Sequence, residues 1–171
     1  MATVDARERF QALIERHRGI VFKVANSYCR NAEDRGDLVQ DISAQAWKAF
    51  ASWDAARPFS TWLYRIALNV AISALRRQGT PGRQPLALDE LAAEPGHDDD
   101  DARETDDGLR ALARCIARLD PLNRALLVLY LDEKSQREIA EILGLSETNV
   151  ATRIGRLKAR LRADLAPNGT R

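Results

Sequence analysis

The sequence has few of the residues from which catalytic and metal sites are most often built. It contains two cysteines, Cys29 and Cys115, far apart along the chain, and two histidines, His17 and His97. A disulfide framework or a zinc site needs more of these residues at closer spacing. The chain also has neither a glycine-rich phosphate loop nor a plausible pair of nucleophile and base. We therefore expect a protein that is not an enzyme, with no metal, no cofactor and no small-molecule substrate.

Long apolar runs and strand patterns are missing as well. No stretch of about 18 apolar residues occurs, so no membrane span is predicted. The first residues are charged from Asp5 onward and lack the apolar core of a secretory signal, which favours a cytoplasmic location. β-branched residues do not alternate with polar ones, whereas Ala, Leu, Arg and Glu dominate. This composition predicts an all-α fold.

The net charge of +1 conceals an uneven distribution of charge. Residues 1–78 carry 12 Lys and Arg against 8 Asp and Glu, residues 79–108 carry 2 against 10, and residues 109–171 carry 12 against 7. The middle segment is also rich in glycine and proline and holds four consecutive aspartates. Such a segment cannot offset the entropy of ordering. We therefore predict two small basic helical modules, 1–78 and 109–171, joined by a flexible acidic linker, 79–108, whose partner is basic.

The clearest local motif lies near the end of the chain. Ser135 and Glu138 have the spacing of a capping box that opens a helix. Gly144 fits the left-handed residue that ends a helix, and Ser146 is a suitable cap for the next one. Two short helices joined by a glycine-containing turn form a helix-turn-helix, which binds DNA through its second helix.

That second helix separates an apolar face from a face of small residues flanked by arginines. Val150, Ile154 and Leu157 recur at helical spacing and should face the core. Small residues on the opposite face let a helix backbone approach the floor of a major groove about 12 Å wide, and arginines can grip phosphate or read guanine. The expected DNA-binding residues of this module are Arg137, Thr148, Asn149, Thr152, Arg153 and Arg156.

Two helices of the first module also carry polar faces. A helix capped by Ser60 and running to Gln78 places Trp62, Arg65, Asn69, Ser73 and Arg76 within one arc. That arc can stack and bind unpaired bases, or Trp62 can simply be a core aromatic. An earlier helix, capped by Asp34 or Asp37, carries Asp37, Gln40, Asp41 and Ser43. This acidic face is either solvated or suited to a protein with a basic groove.

Four segments of the sequence resemble a known family. The segments Asp37-Leu-Val-Gln-Asp41, Phe59 to Asn69, Leu75-Arg-Arg77 and Ser135 to Leu161 are similar to those of bacterial sigma factors of the extracytoplasmic-function type, group 4 of the sigma-70 family. The resemblance covers about residues 10–78 and 109–165. The family pattern often has a basic residue where Ala151 stands, so Asn149 and Thr152 are expected to carry more of the base readout.

The resemblance implies a role for each surface. Asp37, Gln40, Asp41 and Ser43 would bind core RNA polymerase. Trp62, Arg65, Asn69, Ser73, Arg76 and Arg77 would melt and read the −10 element of a promoter, and the last helix would read the −35 element as duplex. The acidic linker would lie in the basic path that nascent RNA later uses. An anti-sigma factor is a further expected partner.

Two other functions fit parts of the sequence. A transcription regulator that binds DNA without polymerase would use the helix-turn-helix but leaves the first module and the acidic linker without a role. A helical adaptor that binds only proteins would tolerate charge reversal at Arg153 and Arg156.

Overall fold

The computed structural model describes residues 2–78 and 103–166, and within these two ranges it contains helices and no strand. None of these helices is long and apolar enough to cross a membrane. A short 3-10 turn, Phe50–Ser52, follows the third helix. The α-helices are α1 Ala2–Arg16, α2 Arg18–Tyr28, α3 Ala32–Ala49, α4 Phe59–Gln78, α5 Arg103–Arg118, α6 Pro121–Leu131, α7 Gln136–Leu143 and α8 Glu147–Leu165.

The first module is built from α1 to α4, and α2, α3 and α4 pack against one another. Each of these three helices turns an apolar stripe inward. Val24, Ile42 and Leu63 are fully buried. Burial of such side chains stabilises the module by about 1.5–3 kcal/mol each.

Two helix starts differ from the sequence prediction. The cap of α3 is Asn31, whose side-chain oxygen accepts a hydrogen bond from the backbone N–H of Asp34, so neither Asp34 nor Asp37 is the cap. Asn31 is favoured as the cap because its Nδ2 also donates a hydrogen bond to the Asp34 carboxylate, at 2.9 Å. The helix α4 begins at Phe59, so Ser60 lies inside the first turn and is not its cap. The carbonyl of Pro58 accepts the first helical hydrogen bond, from Trp62 N–H.

The second module is built from α5 to α8, and its turns follow the local sequence signals. Asp120 caps α6, with Pro121 at the first helical position. Both hydrogen bonds of the Ser135–Glu138 capping box are present. Gly144 has φ 68° and ψ 34° and ends α7, and Ser146 caps α8. The predicted helix-turn-helix is confirmed.

The first helix of the second module begins before residue 109, the predicted start of that module. Helix α5 begins at Arg103, inside the segment assigned to the linker, because the helical pattern continues through Gly108 with no breaker other than that glycine. The rest of the predicted linker, 79–102, and its acidic run lie outside the described residues.

The two modules pack against each other. Helix α2 contacts α5 and α6, and α4 contacts α6 and α7. The buried apolar side chains of both modules form one continuous cluster. The helix-turn-helix is thus anchored on the helix that carries the polar stripe of the first module.

Candidate nucleic-acid interface

The recognition helix α8 presents its small residues to solvent. Val150, Ile154 and Leu157 are at most 5% exposed and hold the helix on the core. On the opposite face Thr148, Thr152, Gly155, Arg156 and Ala159 are exposed. Because threonine, glycine and alanine make up most of this face, the backbone of α8 can approach the floor of a groove while the arginines reach outward.

The polar side chains of α8 make hydrogen bonds within the helix. Arg153 Nε donates to Asn149 Oδ1 at 2.9 Å, and both residues are half-buried. This bond leaves the terminal nitrogens of Arg153 and the amide nitrogen of Asn149 as donors. Thr152 Oγ1 donates to its own helix at Thr148 O. Fixing long side chains in advance lowers the entropy lost on binding.

Arg137 stands apart from this group, on the first helix of the motif. Its side chain is 80% exposed, and its Nε lies 3.9 Å from the Glu141 carboxylate, one turn along α7. An ion pair this exposed contributes little to stability. The Arg137 side chain is therefore only weakly held by the rest of the fold.

A second exposed polar stripe runs along α4. Arg65, Asn69, Ser73 and Arg76 are exposed at intervals of about one turn, and Arg77 is exposed beside them. Leu63, Ala67 and Ala71 on the other side of the helix are buried. The predicted arc therefore exists as one face, with donors that suit bases and phosphate.

Trp62 is half-buried within an aromatic cluster that the sequence reasoning missed. The cluster contains Phe10, Trp47, Phe50, Trp53, Phe59 and Trp62, whose neighbouring ring centroids lie 5.1–6.4 Å apart. The spacing of three residues from Trp47 to Phe50 to Trp53 was the signal available in the sequence. The Arg9 guanidinium lies 5.4 Å from the Trp53 ring. Trp62 therefore packs in the aromatic cluster while part of its surface stays accessible.

The acidic face of α3 is exposed as well. Asp37, Gln40 and Asp41 are exposed, whereas Leu38 and Ile42 of the same helix are buried. Ser43 is half-buried, and its hydroxyl donates to Val39 O at 2.8 Å. The negative charge of this face is therefore carried by the two aspartates, which suit a basic protein surface more than DNA.

No group of three or more potential metal ligands occurs in the described part of the chain. Burial, with a contribution from Asp34, raises the pKa of the Cys29 thiol above its usual value. Cys29 is therefore not an activated thiolate.

These features define a class: a helical DNA-binding protein with one basic face on each of two modules and an acidic face on the first. Comparison with known families identifies the class further. Residues 13–80 match the model of Sigma-70 region 2, and residues 109–161 match that of Sigma-70, region 4. The chain belongs to the sigma-70 family and is a sigma factor of the extracytoplasmic-function type.

Individual relatives agree with this assignment. The chain is 36% identical to the RNA polymerase sigma factor CnrH of Cupriavidus metallidurans, over 90% of this chain and 85% of that protein. It is 28% identical to the ECF RNA polymerase sigma factor SigW of Bacillus subtilis, over 93% and 90% of the two chains. The structure of CnrH in complex with the cytosolic domain of CnrY superposes with a TM-score of 0.68, at 32% identity, covering 95% of this chain and 91% of that one. The two-module helical fold is confirmed.

Proposed function

We propose that this sigma factor reads the −35 element as duplex through α8 and the −10 element as a melted strand through α4, while α3 binds core RNA polymerase. It acts without catalysing a reaction itself, in the cytoplasm. The observation that carries the proposal is the pair of exposed basic faces, one on each module, each backed by a buried apolar stripe.

Recognition of the −35 element is supported by the shape and donors of α8. The exposed small residues allow a deep approach, and Arg156 is exposed at the centre of the helix. A guanidinium can bind guanine O6 and N7 at once. The Arg153–Asn149 pair, lying at the edge of the face, suits a phosphate and an adjoining base.

Recognition of the −10 element is supported by the combination of aromatic and polar groups at the start of α4. Trp62 offers part of its indole beside the exposed side chains of Arg65 and Asn69. Stacking of an unpaired base on an aromatic ring contributes about 1–3 kcal/mol. Arg76 and Arg77, at the end of the same helix, suit the phosphates of the strand.

Two protein partners belong to the proposal. Asp37, Gln40 and Asp41 would bind a basic surface of core polymerase. An anti-sigma factor would hold the chain inactive. The relative CnrH has been solved in complex with the cytosolic domain of CnrY, and we expect this chain to bind a partner of the same kind.

The test is run-off transcription with core bacterial RNA polymerase, the full chain and a library of promoter fragments. We expect specific transcripts that disappear with Asp41→Arg and persist with Glu8→Arg, which reverses an exposed acid on α1. Tight duplex binding by the free chain without transcription would instead identify a stand-alone regulator. Loss of both activities would favour an adaptor that binds only proteins.

The roles of two arginines can be separated in a duplex-binding assay with a promoter selected from that library. Arg156→Ala should weaken binding by about 1–3 kcal/mol and relax the preference at one base pair. Arg153→Ala should weaken binding to all sequences alike and reduce the salt dependence. The reverse pattern would overturn both assignments.

A further inference from the structure

An arginine of α1 lies against the aromatic cluster. Residues 2–12 of α1 precede the segment that matches Sigma-70 region 2, which begins at residue 13. Within them Arg9 is exposed, and its guanidinium lies over the Trp53 ring, 5.4 Å from the ring centre. Trp53 directly precedes the loop 54–58, which leads to α4. A part of α1 outside the family match therefore contacts the ring that comes just before the proposed −10 helix.

Trp53 is held in place by other rings of the cluster. Phe50 stacks on Trp53 with 5.8 Å between ring centres, and Phe59 meets Trp53 edge to face at 5.3 Å. The Nε1 atom of Trp53 is buried and has no hydrogen-bond partner among the described residues. Ring packing rather than a hydrogen bond thus fixes the indole. A cation over the face of such a ring is attracted by the ring quadrupole, so the Arg9 guanidinium lies on a fixed surface.

The positive charge of Arg9 is not neutralised by an acid. Asp5 lies one turn earlier on α1, at a spacing that favours an ion pair. Within residues 2–78 and 103–166, however, no carboxylate pairs with Arg9. Asp54, the neighbour of Trp53, accepts a hydrogen bond at 3.0 Å from the backbone N–H of Ala56. The planar fork of donors on a guanidinium matches the geometry of a phosphate, so Arg9 suits an anion that reaches the cluster.

Arg9 lies close to the ring on which an unpaired base is proposed to stack. The centres of the Trp53 and Trp62 rings are 6.4 Å apart. The Arg9 guanidinium therefore lies at most about 12 Å from the centre of the Trp62 ring. Stacked nucleotides of one strand advance about 3.4 Å each. A strand with one base on Trp62 thus brings a phosphate to Arg9 within about four nucleotides of that base.

We propose that Arg9, held over Trp53, binds a phosphate of the melted promoter strand within about four nucleotides of the base that stacks on Trp62. The inference rests on the proposed function, because it requires the melted strand to follow α4. It adds α1 to the DNA contacts proposed for α4 and α8. Since a phosphate carries no base identity, the contact should strengthen binding to every promoter alike.

The first experiment measures binding of the holoenzyme, which is core polymerase with the full chain, to a fork-junction DNA. Its −10 strand is unpaired, and its sequence is a promoter recovered from the run-off library. Arg9→Ala should raise the Kd about ten-fold, which is the lower end for a hydrogen bond to a charged group. It should also reduce the slope of log K against log salt by about 0.7, the value for one phosphate of a single strand. Arg9→Lys keeps the charge and should recover most of the slope.

Arg7→Ala is the matched control, because it removes the same charge from the same helix. Arg7 is exposed and lines a cavity with Phe10 and Trp47 instead of lying over Trp53. Its loss should change the Kd for the fork junction by less than about two-fold, as expected for an exposed charge without a partner. Equal losses for Arg7→Ala and Arg9→Ala would show a general effect of charge and overturn the contact. An unchanged Kd for Arg9→Ala would also overturn it.

A thermodynamic cycle locates the phosphate. A methylphosphonate, which has no charge, replaces one phosphate of the −10 strand at a time. At one position the wild type should lose affinity while Arg9→Ala loses nothing further, whereas at the other positions the two losses should add. Abasic sites combined with Trp62→Ala identify the stacked base by the same logic. Additive losses at every phosphate, or a coupled phosphate farther than about four nucleotides from that base, would overturn the proposal.

Failure of the proposed function can be distinguished from failure of this contact. If the wild type gives no transcripts, Arg9→Ala and Arg7→Ala are compared as free chains with a single-stranded oligonucleotide of mixed sequence. Fluorescence follows binding, because all three tryptophans of the chain belong to the aromatic cluster. A higher Kd for Arg9→Ala than for Arg7→Ala would retain the phosphate contact although the function fails. Equal Kd values, or no binding by the wild type, would overturn the contact as well.

Discussion

Replacing glycine by alanine should change the stability of the protein in opposite directions at Gly144, in the turn of the helix-turn-helix, and at Gly155, within α8. Gly144 has φ 68°, whereas Gly155 lies in the interior of α8, and a Cβ added at either position would meet no atom within 4 Å. Neither substitution therefore clashes with another part of the fold. The difference between Gly144→Ala and Gly155→Ala is a difference in backbone free energy alone.

The expected magnitudes follow from the backbone conformations. An L-residue in the left-handed region is strained by about 1–2 kcal/mol, and the lower entropy of the unfolded chain offsets about 0.4–1 kcal/mol of this. Gly144→Ala should therefore destabilise the protein by about 1 kcal/mol. Gly155→Ala should stabilise it by about 0.5–1 kcal/mol, because alanine is a better helix former than glycine.

Urea denaturation of the full chain followed by circular dichroism measures both effects. The three tryptophans lie in the first module, so fluorescence reports that module separately. With a slope of about 1–3 kcal/mol/M, a change of about 1 kcal/mol moves the midpoint by about 0.3–1 M. Gly144→Asn is the control, because asparagine tolerates this conformation better than alanine. Shifts of the same sign for the two alanine variants would refute the argument.

Three further predictions concern stability. Ile42→Ala, at a fully buried position, should destabilise the first module by about 2–5 kcal/mol, measured by tryptophan fluorescence in urea. Ser135→Ala removes the side-chain oxygen that accepts a hydrogen bond from Glu138 N–H, and it should lower the free energy of unfolding by about 1 kcal/mol. Circular dichroism in urea measures this change, and an unchanged unfolding midpoint would contradict the role of Ser135 as a cap. Burial alone would raise the pKa of the Asp132 carboxyl, but hydrogen bonds from Lys23 and Tyr64 outweigh burial and lower its folded-state pKa. Its contribution is therefore present above the ordinary carboxyl pKa and is lost as pH falls through the lowered value. The stability difference between wild type and Asp132→Asn should therefore shrink on acidification, and a difference that grows would contradict this sign.

The local sequence was informative wherever a structural feature depends on residues a few positions apart. The helix-turn-helix could be predicted because the Ser135 cap, the left-handed Gly144 and the Ser146 cap each act within one helical turn. The same reasoning misplaced the cap of α3. Asparagine and aspartate are equally good helix caps, so residue type does not distinguish Asn31 from Asp34. The cap is Asn31 because of hydrogen bonds between these two residues that exist only in the folded turn.

The candidate DNA faces on α4 and α8 were predictable for a related reason. Helical periodicity separates buried from exposed positions, so Asn69 and Thr152 could be assigned to a surface from spacing alone. Periodicity does not distinguish a free surface from one that contacts another element. This is why the sequence left Trp62 open as a platform for bases or as a core aromatic. Its ring contacts with Phe50 and Trp53 depend on how the helices pack and could not be read from spacing.

Composition and spacing within single helices were enough to establish the helical class, the two basic modules and the residues that face outward. How the modules meet depends instead on tertiary packing. Asp132 is 109 residues from Lys23 and 68 residues from Tyr64 along the chain, and Tyr28 is 93 residues from Pro121. No local preference connects residues so far apart. Their contact follows from the packing of α2 and α4 against α6 and α7, which brings a lone carboxylate to an ammonium and a buried phenol.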